Sequence, residues 1–340
     1  MRVHQILSGA GPVDAVTSQA RAWRERFGAW GWDGVEYAAH IDPRMNGEVV
    51  PLGAMVPRPE DVLLLHYSAY APRLRALLDL PCRKALLSHN VTPARWLWDY
   101  EPTIAVHCAL GRRQLPEFAA RADVAAGVSA YNAAEVGSDV VVPILFDAST
   151  WPAAEGPRRD GPPTLLFVGR LAPHKRQDEL IRLLALLRRH RLPEARLVLV
   201  GEPLNEKYLA ALRGLADELA PGAVTFERSL SREELADRYR AADVFVSLSE
   251  HEGFCIPLLE AFHFGVPVVA RPSGAVPEVA GDAALLAENR DLAVLAELVA
   301  LTVEDDALGA TLRDRGRERL PAYAPERTEA AMRAMIEGLR

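Results

Sequence analysis

The stretch DVFVSLSEHEGFCIPLLEAFHFGVPVVAR, residues 243–271, holds the fold in miniature. DVFVSLS (243–249) is a short apolar run of the length of a buried strand, and VPVVAR (266–271) is another. Between them EHEGF reads as an exit loop and the following residues as a helix, with Pro257 suited to its first turn by a preset φ and a missing amide hydrogen. Strand, helix, strand is a parallel βαβ unit. Gly253 lets the chain bend close to a ligand. The backbone amides around Phe254 and Cys255 are expected to lie free at the helix N-terminus, ready for phosphate oxygens. Glu252 and Glu260 flank this bend. The spacing predicts Glu260 in the first helical turn, where the helix dipole favours a carboxylate and a fixed acceptor can hold a vicinal diol such as ribose. Each glutamate also has a plainer reading, Glu260 as a helix-terminus stabiliser and Glu252 as a solvated loop charge.

The same rhythm extends in both directions. TLLFVGRL (164–171), ARLVLVG (195–201), AVTFERS (223–229) and AALLA (283–287) read as further strands. A helix with apolar residues at Leu180, Leu183, Leu184 and Leu187 follows the first, and YLAALRGLADEL follows the second. The earlier half alternates similarly, with strands at VHQIL (3–7), VEYAA (35–39), DVLLLH (61–66), KALLSH (84–89) and DVAAGVS (123–129). LRALLDL (74–80) and WLWDY (96–100) read as helical connectors. WPAAEGPRRDGPP (151–163) has linker composition. The expected organisation is α/β: a Rossmann-like domain over 1–150, a linker over 151–163, a second Rossmann-like domain over 164–322, and a C-terminal amphipathic helix over 323–340 packing back on the first domain. Two doubly wound parallel sheets facing a central cleft follow from the alternation rule.

Composition narrows the function. A chain of 340 residues with formal net charge −7 lacks the cation excess that a nucleic-acid polymer demands. A small phosphorylated ligand needs only a local positive site. Cys82, Cys108 and Cys255 form no CxxC pair, so neither a disulfide framework nor a zinc site is expected and a reducing cytoplasm fits. MRVHQILSGAG is too short and interrupted for a signal segment, and no apolar run reaches 18 residues. A membrane span is therefore not expected, while peripheral membrane contact stays open.

Two loops bear on the ligand. In GRLAPHK (169–175) a strand end delivers Gly169 and Arg170, with Lys175 five residues beyond the arginine. A guanidinium and an ammonium at one strand–helix junction make an anion site, although either can also be an ordinary surface charge. In SGAGPVD (8–14) Gly9-x-Gly11 begins a dinucleotide fingerprint, but Asp14 stands where a third small residue is wanted. A dehydrogenase is disfavoured.

EGFCIPLLEAFHFGVPVV resembles the E-x7-E signature of the retaining, nucleotide-sugar-dependent glycosyltransferases of family 4. GRLAPHKRQDELI resembles that family's G-R-x-x-x-x-K segment, and SGAVPEVAGDAALL the segment after its E-x7-E helix. LSHNVTP and GVSAYNAAEV are similar, more loosely, to its N-terminal domains. The resemblance implies the GT-B fold, with donor in the C-terminal domain and acceptor in the N-terminal one. It assigns Arg170 and Lys175 to the diphosphate and Glu260 to the ribose. Glu252 and the Gly253–Phe254 backbone go to the donor sugar and distal phosphate, and His89 to the donor sugar. Gly169, Gly11 and Cys255 are expected to line the nucleotide site, and Arg228 to stand beside the nucleobase. His66 is expected at the acceptor cleft or in structural support, and Trp96, Trp98 and Tyr100 in the core more than in sugar stacking. Cys255 replaces the family's commonest residue, glycine, which is expected to tighten the phosphate loop. Arg228 likewise stands where many relatives have glycine.

The expected activity is that of a retaining hexosyltransferase moving a sugar from a nucleoside diphosphate to a hydroxyl-bearing acceptor. No D-x-D occurs, so no metal or other cofactor is expected. A glycosidase using Glu252 and Glu260 is a rival that nucleotide binding would exclude. A nucleotide-sugar 2-epimerase would release no free diphosphate without acceptor, and a non-catalytic nucleotide-sugar binder would turn nothing over. Donor base, donor sugar, acceptor and oligomeric state are left open.

Overall fold

Short runs of branched apolar residues become strands, and the central ones at Val3–Leu7, Val62–Tyr67 and Val244–Ser247 are buried on both faces, as parallel sheets require. In a computed structural model, which describes residues 1–12, 14–45, 47–154 and 161–339, the strands assemble into two sheets of six. The first half gives β1 (Val3–Leu7), α1 (Ala15–Ala29), β2 (Glu36–Ala38), β3 (Val50–Pro51), β4 (Val62–Tyr67), β5 (Arg83–Ser88), α2 (Pro102–Arg121), β6 (Val124–Gly127) and α3 (Ala130–Glu135). Its strand order is β3-β2-β1-β4-β5-β6, all parallel. The second half gives β7 (Thr164–Val168), α4 (Gln177–His190), β8 (Arg196–Val200), α5 (Glu206–Leu219), β9 (Val224–Glu227), α6 (Arg232–Arg240), β10 (Val244–Ser247), α7 (Ile256–His263), β11 (Val268–Ala270), α8 (Val276–Ala280), β12 (Leu285–Leu286), α9 (Leu292–Glu304) and α10 (Asp306–Arg319). Its order is β12-β11-β10-β7-β8-β9, again parallel. The chain ends in α11 (Pro325–Glu337).

Both sheets are doubly wound. Each starts at a central strand, winds to one edge, and returns past the start to build the other side. The strand order reverses between β1 and β4 in one sheet and between β7 and β10 in the other. Ligands of such sheets bind beyond the carboxyl ends of the strands at these two points.

The chain divides into two compact units, Met1–Arg95, Pro102–Leu145 and Pro325–Arg340 in one and Trp96–Glu101 with Phe146–Ala324 in the other. The expected first-domain range of 1–150 is corrected at two places. It ends at Leu145, and it loses residues 96–101 to the second unit. That short segment is no helix beyond a single turn at Ala94–Trp96, and α5 recruits it. The Asn205 amide, capping α5, donates to the Tyr100 carbonyl at 2.9 Å and to Glu101 Oε1 at 2.8 Å. Tyr100 stands edge-on to Tyr208 at 4.8 Å, while Trp98, expected in the core, is exposed. Of the expected linker 151–163, residues 155–160 lie outside the described residues. Within the first unit, α11 buries Met332, Met335 and Ile336. Its Glu329 pairs with Arg26 at 2.8 Å, and Arg333 lies 5.3 Å over the Trp30 ring.

Candidate active site

At the reversal point of the second sheet, the loops leaving β7 and β10 are joined. The Glu250 amide donates to the His174 carbonyl at 2.8 Å. One residue further along one loop and two along the other, Lys175 Nζ lies 2.6 Å from Glu252 Oε2. Lys175 is delivered by a single 3-10 turn, Pro173–Lys175, and Glu252 is only 7% exposed. The structure thus brings together one cation of the predicted anion site and one glutamate of the predicted pair.

The other charges around this point fall into two groups. Glu250 takes Arg176, Arg271 and Arg290 at 3.4, 3.2 and 2.7 Å, and Arg271 also reaches Glu179 at 2.8 Å and the Leu248 carbonyl at 2.8 Å. Those arginines are committed to holding the loop. Arg170 is different. It is exposed, and its guanidinium makes no hydrogen bond or ion pair among the described residues. His174 is no third cation, because burial holds it uncharged, well below its ordinary range, with Lys175, His251 and Arg170 adding to the effect.

Helix N-termini are sorted the same way. Asp14 caps α1, its carboxylate accepting from the Thr17 amide and hydroxyl at 2.7 Å each. The first turn of α4 carries Asp178 and Glu179. By contrast α7 has no side-chain cap and no acid in its first turn, and the amides of Phe254 and Cys255 have no acceptor among the described residues. An anion at the reversal point therefore meets α7 rather than α4. The Phe254 ring itself is committed to packing, edge-on to Tyr323 at 5.5 Å, so only its backbone is offered.

Cys255 puts backbone strain into this loop. The residue sits at φ 75° in the left-handed region that glycine occupies without penalty. Its thiol is pushed well above its ordinary range, by burial first and by Glu252 second, so it is no nucleophile at neutral pH. Gly274 is required by contact as well as by conformation. It lies at φ 55°, and a Cβ there would come within 2.1 Å of the Glu252 carbonyl oxygen, which already accepts from the Ala275 amide at 3.1 Å.

Glu260 is not in the first turn of α7. The helix begins at Ile256, which makes Glu260 its fifth residue and removes the dipole argument for its placement. A different partner holds it. The fully buried Tyr239 on α6 donates to Glu260 Oε2 at 2.5 Å. Burial raises the carboxyl to about 7, opposed by the Tyr239 hydrogen bond and by Arg232.

The remaining predicted residues are dispersed. Gly169 closes β7 at φ 150°, and its carbonyl oxygen would lie 2.0 Å from a Cβ on Gly201. Arg228 follows the edge strand β9, exposed and paired with Glu206 at 3.0 Å, with β8 between it and β7. In the first unit the Gly11 amide donates to Thr17 Oγ1 at 3.2 Å. His66, buried on β4, lies 2.8 Å from His89 Nε2. Burial lowers His89 to about 4, and burial with the neighbouring His89 holds His66 well below its ordinary range. Sequence reading missed Tyr239 and the contact of Gly274 with Glu252. Tyr239 was signalled only as one aromatic in the charged helix REELADRYR. Among the described residues no group of three or more His, Cys, Asp or Glu side chains is placed to hold a metal ion, and no helix is long and apolar enough to cross a membrane.

Residues 153–319 match the family model described as glycosyl transferases group 1. Over 165 residues the chain is 34% identical to the GDP-mannose-dependent alpha-(1-6)-phosphatidylinositol monomannoside mannosyltransferase of Mycolicibacterium smegmatis, covering 46% of this chain and 42% of that protein. It is 34% identical over 161 residues to the D-inositol 3-phosphate glycosyltransferase of Streptomyces avermitilis, covering 43% and 33%. The matched region spans less than half the length of these curated relatives. Among solved structures, sucrose-phosphate synthase from Thermosynechococcus elongatus aligns over 99% of this chain and 98% of its own, with TM-score 0.77 and 19% identity. Anabaena HepE in complex with UDP-glucose aligns over 99% of both chains, with TM-score 0.75 and 17% identity. The chain has the GT-B fold of two Rossmann-like units, and its second unit carries the glycosyl transferases group 1 match.

Proposed function

We propose that the protein is a retaining, nucleotide-sugar-dependent glycosyltransferase that moves a hexose from a nucleoside diphosphate to a hydroxyl-bearing acceptor. The observation that carries this reading is the Lys175–Glu252 pair at the β7/β10 reversal point, set beside the amides of Phe254 and Cys255, which have no acceptor among the described residues. In this reading the amides, Arg170 and Lys175 take the diphosphate. Their charge is worth most when the sugar–phosphate bond breaks and negative charge grows on the leaving group. Lys175 then exchanges its carboxylate partner for phosphate oxygens. Glu252, released, faces the positive charge that develops on the sugar ring. Glu260, steadied by Tyr239, accepts from the ribose hydroxyls.

Retention and family 4 membership rest on the sequence resemblance, and independence of metal on the absence of a D-x-D motif. The resemblance also carries the assignments of His89 to the sugar and of the acceptor to the first unit. With no residue assigned as a covalent nucleophile, the resemblance favours a front-face route in which the leaving phosphate takes the acceptor proton. Both curated relatives described above are named as glycosyltransferases, and one of them as GDP-mannose-dependent, which supports the choice over an epimerase or a glycosidase. The test is a panel of nucleoside diphosphate sugars, scored by thermal shift and by slow hydrolysis in EDTA. Release of nucleoside diphosphate from at least one donor is expected. Thermal stabilisation by none of them, or hydrolysis of a nucleotide-free glycoside instead, would overturn the reading.

A further inference from the structure

Gln5, His66 and His89 form a hydrogen-bonded row in the first unit, and its proton order is fixed from one end. Gln5 lies on β1, His66 on the neighbouring β4, and His89 one residue past β5. The Gln5 Nε2 donates to the Ala20 carbonyl at 2.7 Å and to Glu36 Oε1 at 2.9 Å, and Glu36 is ion-paired with Arg24 at 2.5 Å. Both partners are acceptors, so turning the amide round would set oxygen against oxygen twice. Gln5 Oε1 therefore faces His66 Nε2, 2.9 Å away, and that nitrogen must carry hydrogen. His66 is fully buried and uncharged, which leaves a lone pair on its Nδ1. Across 2.8 Å that lone pair meets His89 Nε2, which must be the donor. His89 is uncharged too, so its Nδ1 is a bare acceptor, and it has no hydrogen-bond partner among the described residues.

We propose that Gln5 and His66 are positioning residues that hold His89 with its proton on Nε2, so that Nδ1 meets a bound sugar as the acceptor of a hydroxyl hydrogen. The sugar half of this proposal rests on the reading of His89 given above; the proton order does not. Such a nitrogen selects a hydroxyl at its position and repels a carboxylate, which specifies a neutral hexose over an acidic one.

The test is a long-range proton–nitrogen spectrum of protein labelled with 15N-histidine, taken without ligand at pH 7, with His89 identified through His89→Asn. A protonated Nε2 and a bare Nδ1 are expected on His89. A protonated Nδ1, or a doubly protonated ring, would overturn the proposal. In Gln5→Leu the His66 Nε2 loses its acceptor, and its proton is free to move to Nδ1, which then donates to His89. The His89 pattern should invert, and an unchanged pattern in the folded variant would refute the coupling. Hydrolysis of UDP-glucose or GDP-mannose by that variant should fall about ten-fold in kcat, the scale of one hydrogen bond, with the Kd of the free nucleotide unchanged. An unchanged kcat with an inverted ring would sink the sugar half. If the wild type hydrolyses neither donor, the transferase reading and the sugar half fall together, while the ring spectra still decide the proton order.

Discussion

The two sheets have the same strand order and so offer the same kind of crevice, yet the residues at the two reversal points differ in kind. At β1/β4 the following helix is closed by Asp14, and the polar side chains of the strands turn to one another, Gln5 to His66 and His66 to His89. At β7/β10 the helix after β10 has no cap, and Lys175 and Arg170 supply positive charge. Topology provides two crevices; side chains decide which one suits an anion.

The largest expected effect tests that contrast directly. Lys175→Ala should lower donor hydrolysis by roughly a hundred- to a thousand-fold, as loss of a charge facing the leaving group does. It should also destabilise the fold, since Glu252 is left buried without its partner. If Lys175→Ala/Glu252→Gln regains stability but not rate, the two roles of the lysine are separated. A wild-type rate in the single variant would remove the second crevice as the reaction site.

Next in size is the glutamate pair. Glu260→Gln should weaken free nucleoside diphosphate by about ten- to a hundred-fold, the ~1.5–3 kcal/mol of a charge-assisted hydrogen bond. Glu252→Gln should leave that affinity equal or somewhat tighter, because it removes a carboxylate beside Lys175 while slowing turnover. Equal losses of affinity in both, by calorimetry, would cancel this division.

Glu260 also sets a pH dependence. Its folded value of about 7 lies above the ordinary carboxyl value of 4.5, so between the two the native state binds more protons than the unfolded one. This group therefore lowers stability as pH rises from about 4.5 to 7, by an amount on the order of 3 kcal/mol. Denaturant midpoints of wild type and Glu260→Gln should diverge in favour of the variant as pH climbs from 5 to 8. Parallel curves would show that the carboxyl titrates normally. Nucleotide affinity should move the opposite way, rising toward pH 8 as the carboxylate forms.

Two smaller effects probe the loops themselves. Asp14→Ala should cost about 1 kcal/mol, as loss of an N-cap does, and should gain no nucleotide affinity at the first crevice. Appearance of a second nucleotide site in calorimetry would mean that the cap alone kept it closed. Cys255→Gly should raise stability by less than about 1 kcal/mol, since relief of left-handed strain is partly offset by glycine's freedom in the unfolded chain. A clear loss in thermal melts would show that the side chain matters more than the backbone strain.

What could be read from the chain follows from range. Apolar runs gave all the strands but β3, whose two residues carry no period. Lys175 and Glu252 were legible because each is a local signal at a strand exit, although their pairing spans 77 positions. Glu260 falls just past the first turn that Pro257 marks, because the helix already begins at Ile256. Its tyrosine partner, the contact of Gly274 with Glu252, and the row from Gln5 to His89 join residues that are distant in sequence and share no spacing. Residues 96–101 were misassigned for the same reason, since their partner Asn205 lies more than a hundred residues away.

The path of the chain has a practical result. It passes from one unit to the other after Arg95, Glu101, Leu145 and Ala324. No single cleavage yields either unit intact. A gene truncated after residue 150 would encode a product missing α11, with the Trp30 face and Arg26 left without Arg333 and Glu329. A fragment starting at 146 would lack the strip that accepts from the Asn205 amide and stands edge-on to Tyr208. Dissecting this protein therefore calls for circular permutation or co-expressed pieces rather than a stop codon.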